Sequence, residues 1–310
     1  MDLNLDLVTK DLLSVVADWN GGEFKGAYNI RKDGGCAGRA STENIQIESK
    51  TDKPGIDIRI KAGTKGETVF IPACVTHGNV DDLVYNDFFV GENADVTIVA
   101  GCGVHTDTHE TARHNGIHRF FLAKNSRVLY KEKHIGTGTG TGSRSIDPVT
   151  EIHLDEGAVL EMDTTQIKGV DKTVRTTTAE AAKDAKLIIR EHIMTDGDQY
   201  AETDFKVELN GENSGADLIS RSVAKGSSKQ FFRSCIVGNA PCTGHSECDA
   251  IIADNAHVSA APELTASCPD AELIHEAAIG KIAGEQLLKL RTLGLTEEEA
   301  EAKIIEGFLK

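Results

Sequence analysis

Short runs of alternating apolar and polar residues recur along most of this chain. Ile56, Ile58 and Ile60 are separated by polar residues, and Val69, Ile71 and Val75 extend the pattern. Alternation with period two predicts half-buried strands. A repeated unit follows: a tight turn ending in Ala or Ser, one spacer, then a short apolar strand. It appears as ENADVTIVA, KNSRVLYKE, DEGAVLEMD, KDAKLIIRE, SGADLISRS and DNAHVSAAP. The strand-opening residues Val96, Val128, Leu160, Leu187, Leu218 and Val258 lie 32, 32, 27, 31 and 40 positions apart. A turn-plus-strand unit cannot bury its apolar face alone and must stack on its neighbours. Sandwich strands are punctuated every ~8–12 residues, so this wider spacing predicts a mainly β chain with a wide-coil β-solenoid, or β-helix, over 55–265.

The flanks read differently. Leu5 to Trp19 predicts a short amphipathic helix with Leu5, Leu12, Leu13, Val16 and Trp19 on its apolar stripe. Polar, irregular chain follows to Pro54, so 1–54 reads as an N-terminal cap or loosely tied arm. The strands are expected to stop near Ala260, and 266–310 reads as a C-terminal helical domain. Its first helix spans Asp270 to Leu293 and ends at Gly294, a suitable C′ residue. Its second opens at Thr296 with Glu299 completing a capping box, and carries Ala300, Ile304 and Phe308 on one face.

Charge narrows the partners. The 33 Lys and Arg residues face 49 Asp and Glu, a formal net charge of -16. A nucleic-acid partner would need a positive footprint, and an anionic membrane surface is equally disfavoured. No apolar run is long enough for a membrane-spanning helix, and MDLNLDLVTK does not read as a secretory signal. Seven cysteines without a disulfide-framework pattern fit a reducing cytoplasm.

The densest chemistry lies between 235 and 282, which holds Cys235, Cys242, Cys248, Cys268 and the pair His275–Glu276. Thiolate, imidazole and carboxylate hold soft and borderline metals, but without a Cys-x-x-Cys no closed zinc knuckle can be written. Ala250 and Ile252 share Cys248's side of the alternation, which points its thiol inward as a packed strand residue or a sheltered ligand. His275–Glu276 falls at a predicted strand-to-helix junction, where the helix dipole accounts for Glu276 better than for His275. Cys235 and Cys242 flank Gly238 and Pro241 in a predicted loop, open to a structural or a sulfur-accepting role. Cys36, Cys74 and Cys268 read as structural.

A second constellation, CGVHTDTHETARHNGIH, carries Cys102, His105, His109, His114 and His118. These side chains are ligands for iron or zinc, or else they cap strand ends around a loop between coils. GTGTGTGS, at 136–143, reads as a flexible loop and lacks the Gly-Lys-Ser/Thr ending of a phosphate-binding loop.

Two stretches carry a family resemblance. ECDAIIADNAHVSAAPELTASCPDAELIHEAAIGKI with EQLLKLRTLGLTEEEAEAKIIEGF resembles the C-terminal end of the SufB/SufD family, the scaffold proteins of SUF iron–sulfur cluster assembly. NDFFVGENADVTIVAGCGVHTDTHETARHNGIHRFFLAKNSRVLYKEKHIGTG resembles the short form found in minimal two-component systems. GCG-hydrophobic-H and HxGIH carry that second match, on Cys102, His105, His114 and His118. The resemblance implies a right-handed parallel β-helix and a SufB-like role, since SufD-type chains usually lack the cysteine matched by Cys248. It also implies a transient iron–sulfur cluster at Cys248, His275 and Glu276, with a SufC-like ABC-type ATPase as partner and source of ATP hydrolysis. The scaffold is then no enzyme itself, and it pairs as a homodimer or with a SufD-like paralogue. Flavin, a question raised by longer relatives, has no sequence support here. Two other readings stand beside this one: a cytoplasmic β-helix carbohydrate-active enzyme, which would use paired carboxylates, and a SufD-like structural subunit without its own cluster.

Overall fold

The recurring turn is the unit that builds the molecule. In the computed structural model, which describes residues 5–309, Asn93, Asn125, Gly157, Asp184 and Asn213 hold φ of 56°, 57°, 70°, 59° and 59°. Gly, Asn and Asp tolerate that left-handed conformation, so one of them recurs there. The residue that follows, Ala94, Ser126, Ala158, Ala185 or Ser214, is fully buried, which restricts it to small side chains. Residues 1–4 and 310, the outer tips of the first and last predicted segments, lie outside the described residues.

These turns feed a parallel β-solenoid of about eight turns, with two strands per turn and two opposed sheets. The first sheet runs β2 (Gly35–Ala40), β1 (Ala27–Lys32), β5 (Lys65–Val75), β7 (Asp95–His105) and β9 (Arg127–Thr137). It continues through β12 (Val159–Lys168), β14 (Lys186–Thr195), β16 (Ser214–Ala224), β18 (Cys242–Ile252) and β20 (Ala271–Gly280). The second runs β19 (His257–Ala266), β17 (Lys229–Gly238), β15 (Tyr200–Leu209), β13 (Lys172–Ala181) and β10 (Arg144–Ile146). It continues through β8 (Ala112–Leu122), β6 (Val80–Val90), β4 (Gly55–Ile60) and β3 (Ile45–Ser49), with β11 (Val149–Leu154) also bridging β8 and β13. Inward residues from both sheets form one apolar core, within which Phe88 and Phe120 stack at 4.5 Å between ring centres.

Three sequence expectations are corrected. Residues 20–54 are not irregular throughout: they supply the antiparallel hairpin β1–β2 and strand β3 at the N-terminal mouth. The strands do not stop near Ala260, because β19 and β20 carry the solenoid on to Gly280. The helix expected from Asp270 is reduced to α2 (Gly284–Thr292). The 40-residue gap before Val258 also has a cause. Val258 sits in β19 of the second sheet, opposite Gln230, while the first-sheet series passes from Leu187 to Ala216 to Gly244 to Leu273.

Helix α1 (Leu7–Val16) is capped by Asp6, whose side chain accepts from the Thr9 N–H at 2.8 Å. It buries Leu12, Leu13 and Val16 against the outer face of the first sheet. Gly101 and Gly103 explain the close fit, since a Cβ at Gly101 would lie 2.4 Å from the Val16 carbonyl oxygen and one at Gly103 2.8 Å from Leu12 Cδ2. Gly101→Ala is therefore expected to lift α1 off the sheet at a cost of roughly 1–3 kcal/mol, read as a lower denaturation midpoint. Unchanged stability would show that the helix is not tightly seated.

At the other end, α3 (Glu297–Phe308) carries the expected capping box between Thr296 and Glu299 and buries Ala300 and Ile305. Glu301 meets Lys225 at 2.6 Å and ties α3 to the turn after β16. Gly294 takes φ of 97° just past the C-cap of α2, as predicted.

Candidate functional site

A chain of buried polar groups runs inside the solenoid. Arg175, on β13, reaches Glu132 of β9 through Nη1 at 2.9 Å and Glu191 of β14 through Nε at 3.1 Å. Glu191 accepts from Ser220 Oγ and Thr203 Oγ1, each at 3.0 Å. At the other end Tyr130 donates to Glu132 at 2.8 Å and accepts from His118 Nδ1 at 2.9 Å, while Asn86 Nδ2 donates to His118 Nε2 at 3.3 Å. His118 is thus a neutral ring with one nitrogen donating and one accepting.

Titration of this chain follows from burial. Desolvation lowers His118 to about 4, and it lowers His134 beside it in the same direction. Burial alone would raise Glu132, but His134 and Arg175 hold its carboxyl well below the usual range; Glu191, dominated by burial, is raised. A histidine lowered by folding contributes stability that is complete above pH ~6.5 and lost as pH falls towards its folded value, because the unfolded chain takes the proton first. For His118 alone this amounts to about 3 kcal/mol between pH 6.5 and 4. His134 adds to the loss, Glu132 extends it below the usual carboxylate range, and Glu191 opposes it. Denaturant midpoints measured across this interval are expected to drop with acid, and a flat profile would refute the buried neutral ring.

This chain of groups ends beneath Cys248. The thiol faces inward from β18, 4% exposed, in register with Ser220 on one side and Ala277 on the other. The inward direction agrees with the alternation read from sequence. Burial, with the Glu191 and Asp249 carboxylates nearby, pushes the thiol up to about 12. Cys248 is therefore a protonated thiol until a cation displaces the proton.

The structure separates the residues that the sequence grouped with it. His275 and Glu276 lie in the middle of β20, not at a helix start. Paired parallel strands share their facing, so His275, opposite Ser246, is on Cys248's inward side, one strand across and two residues back. Glu276, opposite Glu247, points to the outer face. There it meets His245, Nε2 to Oε2 at 3.7 Å, and His245, Glu247 and Glu276 bring ligand atoms within 4.8 Å of one another. Asp217 accepts from His245 Nδ1 at 2.8 Å, fixing the ring and raising its affinity for a proton. A nitrogen and carboxylate set with an oriented imidazole suits a borderline divalent ion, in competition with that proton. Sequence reading missed His245. The signal was its position two residues before Glu247, with Glu276 a further 29 residues on, one coil by strand register.

Of the remaining candidates, Cys102, His114 and His118 line one cavity at the N-terminal mouth, and His105 is not among its lining residues. His105 is held by Thr137 and Asp107, and His114 bonds Asp82 at 3.0 Å. Cys102 is buried on β7, and burial raises its thiol well above the ordinary value. Among the described residues, Cys102, His105, His114 and His118 form no group of three with ligand atoms in mutual reach. Cys235 is half-buried within β17 and Cys242 is buried at the start of β18, so neither lies in the predicted loop. Gly138, Gly140 and Gly142, in the run expected to be flexible, pack against the backbone of Thr106, Thr108 and Glu110.

The family described as "SUF system FeS cluster assembly, SufBD core domain" matches residues 85–308. An iron–sulfur cluster assembly SufBD family protein of Archaeoglobus fulgidus is 33% identical over 271 residues, covering 86% of this chain and 71% of that protein. One from Methanothermobacter thermautotrophicus is 30% identical over 269 residues, covering 84% and 64%. One from Methanocaldococcus jannaschii is 28% identical over 293 residues, covering 92% and 90%. The chain thus spans about two thirds of the first two relatives and most of the third.

Proposed function

The chain belongs to the SufBD family of the SUF iron–sulfur cluster assembly system, and from that premise we propose that it is a scaffold on which a nascent cluster is built and released. Cys248 is the observation that carries this reading. Its thiol is sheltered on the next-to-last strand of the first sheet, one strand from the open C-terminal end. His275 shares its face, and the outward His245–Glu247–Glu276 set offers nitrogen and oxygen donors for incoming ferrous iron as substrate. Binding at Cys248 releases the thiol proton, so cluster loading is favoured by rising pH. A site with few thiolates holds a cluster less tightly than an all-cysteine set, which suits release of the product.

The open end is also the proposed pairing surface. Among the described residues β19 and β20 each have one unpaired edge, and β20 leaves Ile274 59% and Ile279 42% exposed. An uncovered strand edge invites a second chain, either another copy or a SufD-like paralogue. α2 buries none of its residues within the chain and leaves Leu288 62% exposed, so the C-terminal helices are the proposed dock for a SufC-like ATPase that supplies ATP hydrolysis. No helix among the described residues is long and apolar enough to cross a membrane, and assembly in the cytoplasm is part of the same reading. The test is anaerobic reconstitution with ferrous iron and sulfide, followed by iron and acid-labile sulfide assay and light scattering. Expected are a brown dimer and loading that improves with pH. A colourless protein without bound iron, or a stable monomer at micromolar concentration, would overturn the cluster-bearing or the pairing reading respectively.

A further inference from the structure

The last strand of the first sheet is weakly held. β20 pairs with β18 alone in that sheet, and within it only Ala271 and Leu273 are half-buried against the core. From Ile274 to Gly280 the strand is exposed and rests on its backbone ladder with β18. Among the described residues, no side-chain hydrogen bond or ion pair reaches β20 except His245 Nε2 to Glu276 Oε2 at 3.7 Å. Packing thus ends at Leu273, three residues before the one side-chain tie.

That tie belongs to a set drawn from both strands. His245 and Glu247 come from β18 and Glu276 from β20, with ligand atoms within 4.8 Å of one another. Small side-chain rotations bring such a spacing to one ion about 2.1 Å from each donor. Asp217, on β16, takes the Nδ1 proton of His245 at 2.8 Å, which leaves Nε2 as the free donor facing Glu276. Against the carboxylates of Asp217, Glu247 and Glu276 stands Arg221, whose Nη2 lies 3.7 Å from Glu247 Oε1. The negative charge is in excess, and a divalent cation offsets it.

We propose that a divalent transition ion held by His245, Glu247 and Glu276 clasps β20 to β18, so that iron received on the outer face orders the strand that carries His275 and the pairing edge. This deepens the reading of that set as the place where ferrous iron is received, and rests on it. The coupling follows from linkage. When β20 leaves β18 the ion loses Glu276, so the paired strand is stabilised by the ratio of the two affinities. One nitrogen with two carboxylates favours ferrous iron, cobalt or zinc over magnesium, which prefers oxygen and keeps its waters. The outer ion and the inner Cys248 thiol share a sheet but no ligand.

Cobalt(II), added without sulfide to the whole protein, stands in for ferrous iron and tests the clasp apart from cluster assembly. Isothermal titration is expected to show one ion per chain, with no thiolate-to-cobalt band in the visible spectrum. Amide hydrogen exchange over 274–280 is expected to slow by about 10–100-fold at saturation, with none of this slowing over 95–105. Glu276→Gln is expected to weaken cobalt by about tenfold or more and to remove the slowed exchange. Asp217→Asn, which touches no ion, is expected to weaken cobalt by about 10–100-fold while exchange without metal stays as in the parent. Both side chains are solvent-accessible, so circular dichroism is expected to be unchanged. No cobalt binding, an affinity untouched by Glu276→Gln, or exchange over 274–280 unmoved by saturating cobalt would each overturn the clasp. Normal cluster reconstitution in that event leaves the scaffold reading standing, whereas failed reconstitution with the clasp intact strikes the scaffold reading alone.

Discussion

Cys248→Ser is expected to abolish anaerobic cluster reconstitution while leaving fold and pairing intact. Serine replaces sulfur with a smaller oxygen, and the hydroxyl lies beneath the last strand of the sheet, beside Ser220. A weakly acidic hydroxyl is a far poorer ligand for an iron–sulfur cluster than a thiolate. Iron and sulfide per chain are expected to fall to background while light scattering and circular dichroism match the parent. Glu276→Ala is expected to act differently, because its carboxylate lies on the other side of the sheet beside His245. It weakens iron loading without removing the thiolate. Cys36→Ser, at the far end, should change nothing in this assay. Normal reconstitution by Cys248→Ser would reject the assignment and turn attention to Cys102 and its histidines.

The second large effect is on stability. Arg175→Met removes the guanidinium between Glu132 and Glu191 and leaves two carboxylates facing each other in the interior. Breaking a buried ion pair by deleting one partner costs ~3–5 kcal/mol, a large part of the ~5–15 kcal/mol that holds a domain folded. The upward push of burial on Glu191 blunts the loss, since that group takes up a proton more readily once the cation is gone. Adding Glu132→Gln and Glu191→Gln to Arg175→Met is expected to restore much of the stability, because the uncompensated charge disappears. Denaturant midpoints of the single and triple variants measure both. A loss below about 1 kcal/mol in Arg175→Met would mean that water reaches these groups.

The acid sensitivity of His118 and the fragility of Arg175 share one origin. A solenoid stacks the same inward position of every coil, so a polar residue placed there meets others one coil away. Glu132, Arg175 and Glu191 are 43 and 16 residues apart in sequence, and no local motif marks them. The two strands of a coil bring them within hydrogen-bonding distance.

What the sequence determined by itself was whatever repeats locally. The left-handed turn admits Asn, Asp or Gly, the position after it admits Ala or Ser, and the strand beyond alternates. Those constraints are satisfied within a few residues, so the solenoid, α1 and the capping box of α3 were legible. The inward thiol of Cys248 was legible for the same reason, from Ala250 and Ile252 beside it. Only the tertiary structure decided which strand lies beside which, and in what register. EAAIGKI looks helical in isolation, yet β18 offers a free edge, and pairing along it holds His275 and Glu276 in a strand. That register sends adjacent residues to opposite faces, so it divides Glu276 from Cys248 and joins it to His245. Local pattern fixes which way a side chain points within its strand, whereas a neighbour one coil away is set by coil length, which no single stretch of this chain contains.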